Sequence, residues 1–149
     1  MAFNTSGVFG ALLEDALENT AAFDLADTTA ASFKAALYGN SITPSVDVTA
    51  ANSAHGVDQW LTDIFDTTNW DDGGEPLTSV TFTRSSGVLT WDAADTPQGG
   101  ANCTLSAVYG CQVYADVLTT PVADQGVCFN DFGGSQSVTA GVTVAGMVG

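Results

Sequence analysis

Cationic side chains are almost missing. Lys34 and Arg84 stand against 17 acidic residues, a net charge of -15. Affinity for nucleic acid comes mainly from clustered Lys and Arg that displace counterions from the phosphate backbone, so DNA, RNA and anionic membrane surfaces are poor partners. Histidine is scarcer still: His55 is the only imidazole, and a Ser-His-Asp or Cys-His arrangement would have no other base to use. Its neighbours Ser53 and Asp58 make no triad by sequence proximity, and no GxSxG turn marks a nucleophile. His55 reads as a loop residue, and no enzymatic activity is expected. The cysteines, Cys103, Cys111 and Cys128, are odd in number and lack CxxC spacing, which argues against structural zinc. They read as buried reduced thiols, or as one disulfide formed after release from a cell. No apolar run approaches the roughly 20 residues of a membrane helix, and the first residues lack the basic start and apolar core of a secretory signal. Synthesis and folding in a cytoplasm are the expectation.

What is present is apolar and uncharged. Hydrophobic residues make up 45% of the 149 and charged ones only 13%, a balance that describes a packed body with a negative skin rather than a chain held open by self-repulsion. This length matches one ordinary domain that buries about two thirds of its unfolded surface. Asp71, Asp72 and Glu75 form the densest acid cluster, but their run lacks the ligand spacing of an EF-hand loop. That run and the pair Asp92 and Asp95 read as turns with solvated acids, so no metal or cofactor is expected. Phe132-Gly133-Gly134-Ser135 has the glycines of an anion nest, yet Asp124 and Asp131 would repel a phosphate, and turn chemistry is the better reading.

The pattern of apolar residues divides the chain. Residues 1–10 are small and apolar without a period, as in an extended arm that seeks a partner surface. Ala11 to Asn19 is the best helical stretch, with Leu13, Ala16 and Leu17 on one side and Glu14, Asp15 and Glu18 on the other. Beyond Ala21 the period becomes two. Ser32 to Tyr38 alternates Phe33, Ala35 and Leu37 against Lys34, Ala36 and Tyr38, then breaks at Gly39-Asn40, as a strand entering a turn does. Asn40 to His55 reads as a long loop with at most a short strand near Val46 to Val48. Val57 to Phe65 fits one or two helical turns, and 71–76 forces a reversal. Thr78 to Arg84 and Val88 to Trp91 flank Ser85-Ser86-Gly87 as the clearest hairpin. Asp95 to Gly100 breaks the pattern. Thr104 to Ala115 reads as a central strand with a bulge or bend at Gly110. Gly126 to Phe132, Val138 to Thr139 and Val142 to Val148 complete a set separated by Gly133-Gly134 and Gly141. The fold class expected is mainly β, an antiparallel β-sandwich or flattened barrel over residues 21–149, with an N-terminal extended arm and short helix over residues 1–20.

Trp60, Trp70 and Trp91 are expected mostly in the core. An apolar arm carrying Phe3, Val8 and Phe9 has no use in a lone monomer and makes sense when a neighbour orders it. Deleting residues 1–10 should then leave a folded domain.

Three segments carry a family resemblance. Phe33-Lys34-Ala35-Ala36-Leu37-Tyr38 is followed by Gly39-Asn40-Ser41-Ile42-Thr43-Pro44; Leu89-Thr90-Trp91-Asp92-Ala93-Ala94-Asp95 comes next; Val127 to Gln136 contains Asp131-Phe132-Gly133-Gly134-Ser135-Gln136. Together, over about residues 31 to 140, they resemble the small β-rich virion proteins of tailed phages, especially those of actinobacteria. An LYxNxxxP strand and turn, an LTFDADD hairpin and a DFGGxQ turn recur there in this order. Cys103, Gly110, Cys111 and Gln112 replace the basic or aromatic residues usual between the second and third motifs. The resemblance implies a structural role and carries over no catalytic residue. Its favoured form is a capsid decoration or cement protein on the outer surface of the head, bound to the major capsid protein as a homo-oligomer, trimers included. Arm and helix would grip, through Phe3, Val8, Phe9, Leu12 and Leu13. The alternatives are a tail, baseplate or host-recognition subunit, and, from another class, a carbohydrate-binding module with exposed Trp and Tyr.

Overall fold

In a computed structural model, which describes residues 3–29, 32–94 and 103–139, the chain is mainly β and builds two antiparallel sheets. The strands are β1 (Gly7–Val8), β2 (Phe33–Tyr38), β3 (Glu75–Pro76), β4 (Thr81–Ser85), β5 (Val88–Asp92), β6 (Leu105–Ala115) and β7 (Gly126–Val138). Two short α-helices, α1 (Gly10–Glu18) and α2 (Ala50–Ser53), and a 3-10 turn at Asp58–Trp60 accompany them. The larger sheet has the order β1-β7-β6-β2-β3, and β4-β5 form a separate ribbon. The large sheet stays open, since its outer strands β1 and β3 have two residues each and such short edges offer little to a pairing partner.

β6 is the middle strand of this sheet, and its neighbour β2 is buried because both of its faces are covered. Its alternation sends Phe33, Ala35 and Leu37 one way and Ala36 and Tyr38 the other, and all five are buried. On one face Tyr38, Phe9 and Phe129 surround Trp60, with ring centroids 5.0, 6.0 and 6.2 Å away. On the other, Phe33 meets the edge of Trp91 at 5.4 Å, which seats the ribbon against the sheet. The Trp91 indole N–H donates to the Leu25 carbonyl at 2.7 Å, so the segment between α1 and β2 is tied to the ribbon as well.

Polar groups inside this core are matched only in part: the indole N–H groups of Trp60 and Trp70 have no hydrogen-bond partner among the described residues, whereas Gln112 is well served. Buried Gln112 donates from Nε2 to the Ser53 carbonyl at 2.6 Å and accepts from the Tyr38 hydroxyl at 3.3 Å, pinning α2 over β6. An unmatched amide at such a depth costs about 1–3 kcal/mol. At Gly74 the backbone has φ of 87°, and a Cβ there would strike the Ala35 backbone. Glycine is what lets β3 close on β2.

Several expectations need correction. Residues 3–20 are not an appendage to a body that starts at residue 21: Gly7 and Val8 pair with Phe129 and Cys128 of β7, and Phe3, Phe9 and Leu12 lie in the common core. Around Val46 to Val48 no strand forms; a four-residue helix follows, capped by Thr49 Oγ1 accepting from the Asn52 N–H. Gly133-Gly134 is no reversal. β7 runs through it as a bulge, with Gly110 paired to Asp131 but Val108 already to Gln136, and Val138 belongs to the same strand. The irregularity expected at Gly110 extends back to Ala107, whose φ is 55°. The breaker at 95–100 and the strand at 142–148 lie outside the described residues.

Candidate functional site

Between the ribbon and the β1–β7 edge of the sheet lies a groove with a cavity of about 530 Å³. α1 contributes Leu12 and Leu13, β1 contributes Val8, β7 contributes Cys128, and the ribbon contributes Phe82, Leu89 and Trp91. Its size falls in the range of about 300–1,000 Å³ of ordinary ligand and anchor pockets. Phe82 pairs across the ribbon with Trp91 and Arg84 with Leu89, so all four side chains share the groove-facing side. Much of this surface is open to water: Val8 is 48% exposed, Leu13 52% and Leu89 62%, with Leu17 of α1 at 87% beside them.

The five residues expected to grip a partner are thereby split. Phe3, Phe9 and Leu12 are buried in the monomer's own core and cannot reach out. Phe3 meets the edges of Trp60 and Phe129 at 6.4 and 6.5 Å, and the Phe9 N–H donates to the Val127 carbonyl at 3.1 Å. Val8 and Leu13 are the two left for contact. α1 is also turned relative to its sequence pattern. Leu13 and Leu17, the expected packing stripe, face water, while Leu12 and Asp15 face the body. The cause is a hydrogen bond of 2.7 Å from Gln125 Nε2 to Asp15 Oδ2, which gives an acidic residue the inward position. Phe82, Leu89 and Trp91, which make the other wall, were placed by sequence in a hairpin but not in a site. The signal open to view was the absence of any acid between Thr78 and Trp91.

Four acids stand in or next in the chain to the lining of the groove. Asp92 lines it, and Glu14, Asp24 and Asp131 are chain neighbours of the lining residues Leu13, Leu25 and Asn130. The cations are few: Lys34 is taken up by Asp116 at 3.1 Å, which leaves Arg84 as the base on the groove-facing side of the ribbon.

His55 lies elsewhere, on the opposite face of the sheet. Its ring stacks on Tyr114 at 4.5 Å, and its buried Nε2 has no hydrogen-bond partner among the described residues. Burial pulls the imidazole below its ordinary pKa, against the opposing pull of Asp63, Asp124 and Asp72. Burial likewise raises the carboxyls of Asp63 and Asp124. Ser53 cannot act as a nucleophile beside it, because its hydroxyl donates to the Ala50 carbonyl and accepts from the Gly126 N–H. Asp71, Asp72 and Glu75 form a closed turn, with the Asp71 N–H donating to Glu75 Oε1 at 2.9 Å. No group of metal-ligating side chains occurs among the described residues. None of the three cysteines forms a disulfide among the described residues; Cys103 and Cys111 are fully buried and Cys128 partly so. Trp60 and Trp70 are buried, which removes them as sugar-stacking platforms. Compared with protein-family models, curated proteins and solved structures, the chain matches none of them.

Proposed function

We propose that this chain works by covering other protein, as a virion structural protein of the capsid decoration type. The observation that carries the reading is the exposed apolar surface running from Leu17 and Leu13 through Val8 to Leu89 and Phe82, beside a groove that is already formed. Five of the eleven large apolar side chains exposed among the described residues stand together here, and a contiguous exposed apolar surface marks a contact site for protein. The three motif segments that resemble phage virion proteins give the site its setting: the outer surface of the head, over joints between subunits of the major capsid protein. Burial added across such a joint stabilises the assembled shell by mass action, because the bound protein favours the closed arrangement over the separated one. A homo-oligomer matched to the local symmetry of the shell would multiply the contacts.

The grip differs from that of a free arm. Val8, Leu13 and the ribbon make contact, while Phe3 and Phe9 hold the scaffold that presents them. Purified particles supply the test. Copy number by quantitative mass spectrometry should be in the hundreds, and heads lacking this protein should open at lower temperature than complete ones. A handful of copies per particle would place it in the tail, and equal head stability with and without it would end the cementing role.

A further inference from the structure

We infer that the groove between α1, β1–β7 and the ribbon receives a segment of the partner protein whose apolar side chains are flanked by Lys or Arg. This rests on the reading of the chain as a protein that covers other protein, and it names the chemistry of what is covered. The floor and walls are apolar and open. Asp92 lines the groove at the end of β5, and three further acids are chain neighbours of lining residues: Glu14 follows Leu13 on α1, Asp24 precedes Leu25, and Asp131 follows Asn130 on β7. Arg84 is the single base to set against these four. An apolar segment with acidic flanks would bring like charges together within a Debye length of about 8 Å at physiological salt. One with basic flanks replaces that repulsion by attraction and gains in association rate. The same rim argues against a second copy of this chain as occupant, since each copy carries a charge of -15.

Residues 140–149 are apolar but contain neither Lys nor Arg, so they satisfy the walls of the groove and leave its rim unmatched. A partner segment satisfies both. The cavity accommodates a few side chains rather than a broad flat face, which favours a narrow segment carrying two or three anchors.

The probes are three synthetic peptides with the same Leu- and Phe-containing centre, flanked by Lys and Arg, by Ser, or by Glu. Titrated into the full chain and followed by calorimetry, the Lys/Arg peptide should bind about tenfold or more tighter than the Glu peptide, with the gap shrinking as salt is raised. Leu13→Lys combined with Leu89→Lys changes two exposed positions and should remove that binding while urea unfolding stays unchanged. Glu14→Gln combined with Asp92→Asn should narrow the gap between the Lys/Arg and Glu peptides. Equal affinity for all three peptides would overturn the inference. So would binding that appears only after residues 140–149 are removed, or self-association that the two lysines abolish. Head loading separates this inference from the reading beneath it. If wild-type protein saturates heads and the double-lysine variant does so equally, the groove is not the contact and decoration stands; if wild type itself fails to load, decoration falls.

Discussion

Replacing Phe9 with alanine distinguishes a gripping arm from a core strand. Phe9 has no exposed surface, its ring packs edge-on to Phe129 at 5.2 Å and to Trp60 at 6.0 Å, and its N–H is bonded to Val127. A buried Phe→Ala change costs about 3–5 kcal/mol in transfer and cavity terms, and each edge-on aromatic contact adds about 0.5–1.5 kcal/mol beyond area. The upper part of that range, ~4–5 kcal/mol, is the expectation. Set against a total of about 5–15 kcal/mol for a domain, it takes away a large share of the stability. With a urea slope of about 2 kcal/mol per molar, the unfolding midpoint followed by tryptophan fluorescence should fall by about 2 M. Leu13→Ala, at a surface position, should move it by less than the equivalent of about 0.5 kcal/mol. Removing residues 3–10 takes away β1, Phe3 and Phe9 together, and should leave a chain that no longer unfolds cooperatively. A Phe9→Ala protein within about 1 kcal/mol of wild type, or a well-folded truncated chain, would show that the N-terminal segment is detachable after all.

Other perturbations test other parts of the fold. Gly110→Ala should destabilise by at least the ~1–3 kcal/mol of an overpacked site, since a Cβ there meets the Phe3 ring and the Asn130 carbonyl; urea unfolding reads it, and Phe3→Leu should recover only part of the loss because the backbone contact remains. His55 has a folded pKa held below its ordinary value near 6.5, so the unfolded chain binds the proton more readily and stability falls as pH drops from about 6.5 toward the lowered value. His55→Gln should remove that decline, whereas the raised carboxyls of Asp63 and Asp124 contribute in the opposite sense in both proteins; parallel stability curves from pH 7 to 5 would exclude His55 as the cause. Cys111 is fully buried and its thiol is pushed up to about 12, so iodoacetamide at pH 8 should label it only at the rate of global unfolding. Fast labelling of Cys111 in the native protein would mean that β6 opens locally.

Elements whose partners are close in sequence were legible. The ribbon was visible because Ser86-Gly87 is flanked by two alternating runs, and the pairing of Phe82 with Trp91 needs nothing from the rest of the chain. β2 was visible for the same kind of reason, as an alternating run that ends at Gly39-Asn40. That its polar-looking face is buried was not visible, because it depends on Trp60 arriving from another segment. The orientation of α1 was missed because periodicity treats every acid as a solvent-seeker, and the Gln125 that satisfies Asp15 stands 110 residues away. Gly133-Gly134 was misleading in a different way: glycine permits positive φ, and both residues use it, but a bulge needs that freedom as much as a turn does.

The groove was least legible because none of its walls has a meaning alone. Val8 sits in a two-residue strand, Leu13 on the outer side of a nine-residue helix, and Leu89 on a ribbon with a nearly all-exposed burial pattern. Each would pass as the scattered surface hydrophobe that any protein tolerates. β7 makes them one site. It pairs with Val8 through Cys128 and, through Val127, holds the Phe9 backbone from which α1 starts, while Trp91 locks the ribbon over the same face by way of Phe33 and Leu25. The buried aromatics at the start of the chain are therefore the reason that the exposed apolar side chains nearby have a fixed spacing. A surface preorganised in this way loses little entropy on binding, which is what lets a contact of a few side chains be specific.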